Sequence, residues 1–327
     1  MPSFDLVTIG AATQDVFVQS PLFEEKKDRH APDNLDVCFP LGSKIELDDI
    51  VFTTGGGATN AAVTAARFGL KTACVCRIGD DQAGTAVVDA LKQEKISTHA
   101  IQTDREKKTG YSVIVVAGSG HRTILTYRGA AGRINPTPIP WPKIKTSWLY
   151  LTSVHGDIEL MRRIFVFAEK EKISVAWNPG QAELALGIKK LEPFLVRSSV
   201  VLVNREEAAA LAELPPRHTE DILLHLGIFP QVALAMTDGQ HGAYVRSSGK
   251  TFFAPPLKAK RINTTGAGDA FGSAFVSTLH QARDIKAALA SGMLNATSVI
   301  QHFGAKAGIL EKKPSAWNLK KVAIRTL

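Results

Sequence analysis

The 327-residue chain carries 39 Lys and Arg against 31 Asp and Glu, a net charge of +8, with 45% hydrophobic and 21% charged residues. That admits one large α/β domain or two smaller ones, and no apolar run approaches the roughly 18–20 residues that span a bilayer. The start, Met1-Pro2-Ser3-Phe4-Asp5, has no signal-peptide flank, and three cysteines (Cys38, Cys74, Cys76) fit a reducing, cytoplasmic setting with no membrane partner. Basic residues fall in mixed runs such as Glu24-Glu25-Lys26-Lys27-Asp28-Arg29, which argues against a nucleic-acid partner, while a modest positive field suits an anionic co-substrate.

Phe4–Ile9 is a short apolar run ending at Gly10 and predicts a buried strand, with Asp15 in the loop after it. Residues 16–50 alternate apolar and polar, then pass Pro21, Pro32 and Pro40, which is unlike a single helix. Thr54-Gly55-Gly56-Gly57-Ala58-Thr59-Asn60 opens a helix running to Arg67. A dinucleotide fingerprint would need Gly where Asn60 stands. Thr72–Cys76 reads as a strand, Asp80-Asp81 as the cap of a helix ending near Glu94, and Cys74-Val75-Cys76 lacks zinc-site spacing. Thr109–Val116 and Arg122–Tyr127 predict a hairpin about Gly118-Ser119-Gly120.

From Trp148 the pattern is repeated βα: strand Trp148–Leu151, helix Ile158–Lys170, strand Ile173–Trp177 ending at Asn178, strand Val200–Val203 entering Asn204-Arg205-Glu206-Glu207, and strand Val232–Met236 entering Thr237-Asp238-Gly239-Gln240-His241-Gly242. Alternating strands and helices predict a mostly parallel sheet covered on both faces, with ligands beyond the carboxyl ends of the strands. Asp15, Asn178, Asn204, Thr237 and the Gly266 loop all fall there. Gly249-Lys250-Thr251 has the tail of a phosphate-binding loop, but Tyr244 stands at the required first Gly, so it reads as a hairpin turn. The nine histidines show no ligand spacing, and no Ser sits in a nucleophile elbow. A last helix is expected from Asp284 to Phe303, apolar at 285, 289, 293, 296, 300 and 303.

Asn263-Thr264-Thr265-Gly266-Ala267-Gly268-Asp269 enters an apolar, small-residue helix through about His280. Glycines bring bare N–H groups to a ligand, and a helix N-terminus favours anions. A carboxylate there is poorly suited to holding phosphate and well suited to taking a proton from a neighbouring hydroxyl. An Asp capping a Gly turn is the plainer alternative.

These motifs resemble, in order, those of the ribokinase-like carbohydrate kinases, the PfkB family: the Gly55–Asn60 signature, the Gly79-Asp80-Asp81-x-x-Gly84 turn, Asn204-x-x-Glu207, Thr237-x-Gly239-x-x-Gly242 and the 263–275 signature. The resemblance implies an α/β, ribokinase-like three-layer sandwich with a mostly parallel central sheet plus a small β-sheet lid. It implies a single kinase domain over 1–327, with the lid from roughly 16–50, including a strand at Lys44–Leu47, and 104–128. It implies ATP-dependent phosphorylation of a sugar or sugar-like hydroxyl, with Asp269 as base and the Gly266, Ala267 and Gly268 backbone as anion hole. Acceptor contacts fall to Asp15, Gly56, Gly57, Asn60 and Gly129, with Asn178 grouped on that side by its place at a strand end. Nucleotide contacts fall to Asn204, Thr237, Gly239 and Gly242, with Asn295 near the adenine. Glu207 would order Mg2+ through water, or be a first-turn Glu favoured by the helix dipole. Relatives use a monovalent cation beside an Asp at the position of Asn263 and a Ser near Gly308; the neutral residues here predict weak or no potassium stimulation. A nucleoside acceptor, a non-catalytic binding relative, and a homodimer through the lid around Tyr111–Val115 complete the expectations.

Overall fold

A computed structural model describes residues 3–28, 35–117 and 121–327. Strand β1 (Phe4–Ile9) is buried at Leu6, Val7 and Ile9, as its apolar run requires. β2 follows after three residues (Thr13–Gln19), so Asp15 lies inside a strand rather than in the expected loop. A short antiparallel pair, β3 (Glu24–Lys27) and β4 (Leu35–Cys38), leads to β5 (Asp49–Gly55). Lys44–Leu47 is not a strand; regular pairing with β2 begins at Asp49. Pro32 and the turn at Gly118-Ser119-Gly120 lie outside the described residues.

Helix α1 (Gly57–Arg67) buries Ala58, Ala61, Ala62 and Ala65, small residues that let it lie close on its neighbours. β6 (Thr72–Val75) and β7 (Arg77–Gly79) precede α2 (Gln82–Gln93), whose N-cap Asp81 accepts from the Gly84 N–H at 2.8 Å and the Thr109 hydroxyl at 2.6 Å. β8 (Gln102–Asp104) pairs with β7, and β9 (Gly110–Val116) with β10 (Arg122–Tyr127). Then β11 (Thr146–Leu151), α3 (Ile158–Lys170), β12 (Ser174–Trp177), α4 (Gln181–Leu184), α5 (Ile188–Leu195), β13 (Val200–Asn204), α6 (Arg205–Ala212), α7 (Thr219–Leu226) and β14 (Ala233–Thr237) realise the alternation read from the sequence. β15 (Ala243–Ser247) and β16 (Lys250–Ala254) form the hairpin expected at Gly249. Ser248 and Gly249 both have positive φ, 47° and 75°, as a two-residue turn demands.

The long helix α8 (Ala267–Ala282) and α9 (Ile285–Val299) cross the sheet, followed by α10 (Ala316–Lys320) and β17 (Arg325–Thr326). The α9 helix stops four residues short of the predicted end. Its last apolar residue, Phe303, instead turns onto Phe17 of β2, ring centroids 6.2 Å apart.

Nine strands form the main sheet in the order β17-β16-β15-β14-β13-β12-β11-β1-β6. From β6 to β14 all pairs are parallel, and the remaining three are antiparallel. One face is covered by α3, α5, α6 and α7 about Trp177, Phe165 and Phe194, and the other by α1, α8 and α9 about Phe271, Phe275 and Leu289. The helices thus make two layers about the central sheet. A separate four-stranded sheet, β10-β9-β2-β5, is reached directly from β1 through β2. Strand alternation turns Asp15, Phe17, Ser112, Ile114 and Thr53 to one side of it, and Val16, Val113, Phe52 and Leu125 to the other.

Candidate active site

Two runs of chain meet where the small sheet joins the main one. The first leaves β5 at Gly55. Its Cα faces the Asp15 carboxylate with no room for a Cβ, and Gly56, at φ +93°, lies against the Ala11 carbonyl. Only residues without side chains fit such an approach. α1 then starts at Gly57 and carries Asn60 on its first turn. The second run is 263–269. Gly266 is left-handed at φ +79°, and α8 begins at Ala267, which puts Asp269 in the first helical turn. The Asn60 amide donates to Asp269 Oδ2 at 2.8 Å and joins the two runs.

The two carboxylates are electrostatically linked. Burial pushes Asp269 upward; the Asn60 hydrogen bond and the Lys306 ammonium pull it back, and Asp15 adds to the rise. Burial also raises Asp15, against hydroxyl bonds from Thr13, at 2.9 Å, and Ser112, and against Lys306. A carboxylic acid raised by desolvation is a stronger proton acceptor once ionised.

On the other side of Asp269 lies a cavity of about 240 Å³ lined by Asn178, Asn204, Glu207, Thr237, Gly266, Gly268 and Asp269 among others. Seven predicted positions therefore line one cavity, and Asn178, expected on the acceptor side, stands here with Asn204, Glu207 and Thr237. Asn204 and Glu207 cap α6 reciprocally: each backbone N–H donates to the other's side-chain oxygen at 2.8 Å. Burial and the nearby Asp269 charge raise Glu207, although the Asn204 N–H opposes the rise. Asn178 donates its amide to the Leu202 carbonyl at 2.8 Å. No cluster of three metal-ligating side chains occurs among the described residues. One carboxylate on the wall of a phosphate-sized cavity fits magnesium, which keeps most of its water and arrives with a nucleotide.

Other predicted positions stand apart from that wall. Gly129, at φ +48°, packs against the Lys108 carbonyl, and Gly242 against the Ala254 carbonyl, so both have steric reasons to be glycine; Gly239 is open. Gly57 lies against Thr152. Asn295 is fully buried. Its amide donates to the Ala270 carbonyl at 2.9 Å and accepts from the Leu310 N–H at 3.0 Å, so its polar atoms are taken up inside the core rather than offered to a nucleotide. The Asn263 side chain accepts from the Thr265 N–H at 2.6 Å and shapes the turn before Gly266; Gly308 is buried behind His302.

Sequence reasoning missed Lys306, whose ammonium donates to the Thr54 carbonyl and hydroxyl and to the Thr59 hydroxyl, at 3.0, 2.8 and 2.8 Å. It also missed a second cavity of about 950 Å³ between β10 and residues 261–264, lined by Arg122, Arg261, Gln240 and Asn263 among others. A single Lys in a Gly-Ala-Lys-Ala-Gly run carries no recognisable spacing, and arginines on separate elements meet only through the fold.

Asp269 stands on the first turn of a glycine-bounded helix, is joined through Asn60 to the Gly55–Gly57 run, and lines a cavity of about 240 Å³ on a three-layer α/β fold with a small separate sheet. The chain matches the pfkB family carbohydrate kinase model over residues 30–313. It therefore belongs to the pfkB family of carbohydrate kinases, phosphotransferases with an alcohol acceptor. It is 26% identical over 300 residues to the ribokinase of Schizosaccharomyces pombe, covering 87% of this chain and 93% of that protein. Its fold matches a probable sugar kinase protein of Rhizobium etli with a TM-score of 0.78 at 21% identity, covering 94% of this chain and 96% of that one. The adenosine kinase of Sinorhizobium meliloti matches equally, 0.78 at 19% identity, over 94% and 97%.

Proposed function

We propose that the protein transfers the γ-phosphoryl group of ATP to a hydroxyl of a sugar or sugar-like acceptor. The observation that carries this reading is Asp269, held by Asn60 at the N-terminus of α8, under the influence of the buried Asp15 and on the wall of the Asn204–Glu207 cavity. Asp15 and Asn60 hold the acceptor: an ionised carboxylate accepts two neighbouring hydroxyls, and an amide donates and accepts beside it. Asp269 accepts the proton of the reacting hydroxyl as its oxygen bonds to the γ-phosphorus, the bond to the bridging oxygen breaks, and ADP leaves. The Gly266–Gly268 N–H groups and the positive end of α8 stabilise charge on the transferred group. Magnesium held with the phosphates on the Glu207 side would neutralise part of their charge. The four-stranded sheet, carrying Asp15 on its inner face, serves as the lid.

Equal likeness in shape to a sugar kinase and an adenosine kinase leaves a nucleoside as the second acceptor class, since both present vicinal hydroxyls. A panel of sugars, sugar acids and nucleosides assayed for ADP release tests the reading, and ADP formation that depends on no acceptor would overturn it. Asp269→Asn keeps the hydrogen-bonding shape and should lower kcat about 10²–10⁴-fold with little change in acceptor affinity; turnover within a few-fold of wild type would remove Asp269 as base.

A further inference from the structure

Lys306 sits on the 303–309 loop, which touches three parts of the site. Phe303 packs on Phe17 of β2, Gly304 lies against Thr53 of β5, and Ala305 fills the space a Cβ on Gly266 would need. From this loop the lysine reaches inward, and its three N–H groups are all used, two on Thr54 and one on Thr59. Thr54 is the penultimate residue of β5, and Thr59 lies on the first turn of α1. The Thr59 hydroxyl in turn donates to the Gly55 carbonyl at 2.6 Å. The ammonium thus bridges the Gly55–Gly57 passage, where the small sheet is hinged to the main one.

The titratable groups around it come from three elements and the residue after one of them. Asp15 faces it from β2, Cys74 and Cys76 from β6 and the residue after it, and Asp269 from α8. Besides burial, Asp269 in turn pushes Tyr150 of β11 and Glu207 of α6 upward. Two neighbouring carboxylates repel each other, and a cation acting on both lowers the cost of keeping them ionised together.

We propose that Lys306 is a positioning residue of the transfer, pinning the lid strand to the sugar-binding helix and balancing the charge of Asp15 and Asp269 so that the two neighbouring groups stay ionised together. The inference rests on the proposed function for the role of Asp269, but its electrostatic part stands without it. Burial brings the ammonium down to about 8, against the pull of the surrounding anions, so it remains mainly charged at neutral pH.

The test compares wild type with Lys306→Met, which keeps the length of the side chain without its charge or donors, and with Thr54→Val, which removes one acceptor and leaves the charge. Between pH 5 and 7.5 the lysine is protonated in the unfolded chain and mainly protonated in the folded one, so it adds little slope. Asp15 and Asp269 are raised, so their ionisation erodes stability as pH rises through their folded values, and more steeply without the ammonium. The melting-temperature deficit of Lys306→Met should therefore be larger at pH 7.5 than at pH 5. In turnover, its acid limb should move up by about 1–3 pH units, and its acceptor KM should rise while the ATP KM stays near the wild-type value. Thr54→Val should raise the acceptor KM a few-fold and leave the acid limb in place. A deficit equal at both pH values overturns the charge role, whatever the activity. A pH-dependent deficit in a protein that phosphorylates no acceptor supports the charge role and overturns the proposed function instead.

Discussion

Asp15 and Asn60 carry the acceptor half of the proposed site, and Asp15 is the charged member of the pair. Its Oδ1 already accepts the Thr13 hydroxyl, and its other oxygen lies against the bare Cα of Gly55. A buried carboxylate deprived of its diol loses hydrogen bonds worth roughly 1.5–3 kcal/mol each. Asp15→Ala should raise the acceptor KM about ten-fold or more and leave the ATP KM near its original value, measured by initial rates with each substrate varied. A change confined to ATP would place Asp15 in the nucleotide half. Glycine-rich turns and a carboxylate at a helix start are local patterns, so the residues from 55 to 60 and 263 to 269 were legible in the sequence. Asn295 was not. Its place in a helix gave no sign that Ala270 and Leu310, distant in the chain, take up its polar atoms.

Elements were read more accurately than the residues between them. The helix Ile158–Lys170 has the predicted ends because Asp157 caps it and its buried Leu160, Met161, Ile164, Phe165 and Ala168 keep helical spacing. The small sheet was harder, since β2 and β5 each face two environments and the boundary at Thr13 depends on pairing with Gly55 and Gly110. The run Tyr111–Val115 is an interior strand of that sheet, with Ile114 and Val115 buried. The exposed apolar residues stand on its flanking strands: Phe52 at 62%, Leu125 at 58%, Tyr127 at 49% and Ile50 at 48%, on the face away from Asp15. Such a face calls for a cover. A homodimer through it is expected. Light scattering at micromolar concentration should give twice the mass of one chain, and Phe52→Glu with Leu125→Glu should halve it. A wild-type mass of one chain refutes the dimer.

At the scale of the whole molecule, the site works against the fold. Asp15, Asp269 and Glu207 all lie above their ordinary range because burial disfavours their charge. A group raised in the folded state stabilises below its unfolded value and loses that contribution as pH climbs through the folded one. Removing one such charge should therefore help: Asp269→Asn is expected to melt about 2 °C or more above wild type at pH 7.5, with the gain vanishing near pH 4. A variant that melts lower at pH 7.5 would contradict this. Parallel order and both helical layers follow from the alternation of strands and helices from Trp148 onward. The place of β1 in the sheet did not, because nothing in its six residues names its neighbours.

That placement bears on how the protein is made. β1 lies between β6 and β11, with Leu6 against Thr72 on one side and Trp148 on the other. The β6 partner arrives early in synthesis. The β11 partner is translated only after the whole small sheet, so one edge of a largely apolar strand waits, unpaired and offered to any other nascent chain. The four buried residues of β1 are thus the fold's early hazard, and the pace at which Thr146–Leu151 leaves the ribosome governs how long it lasts.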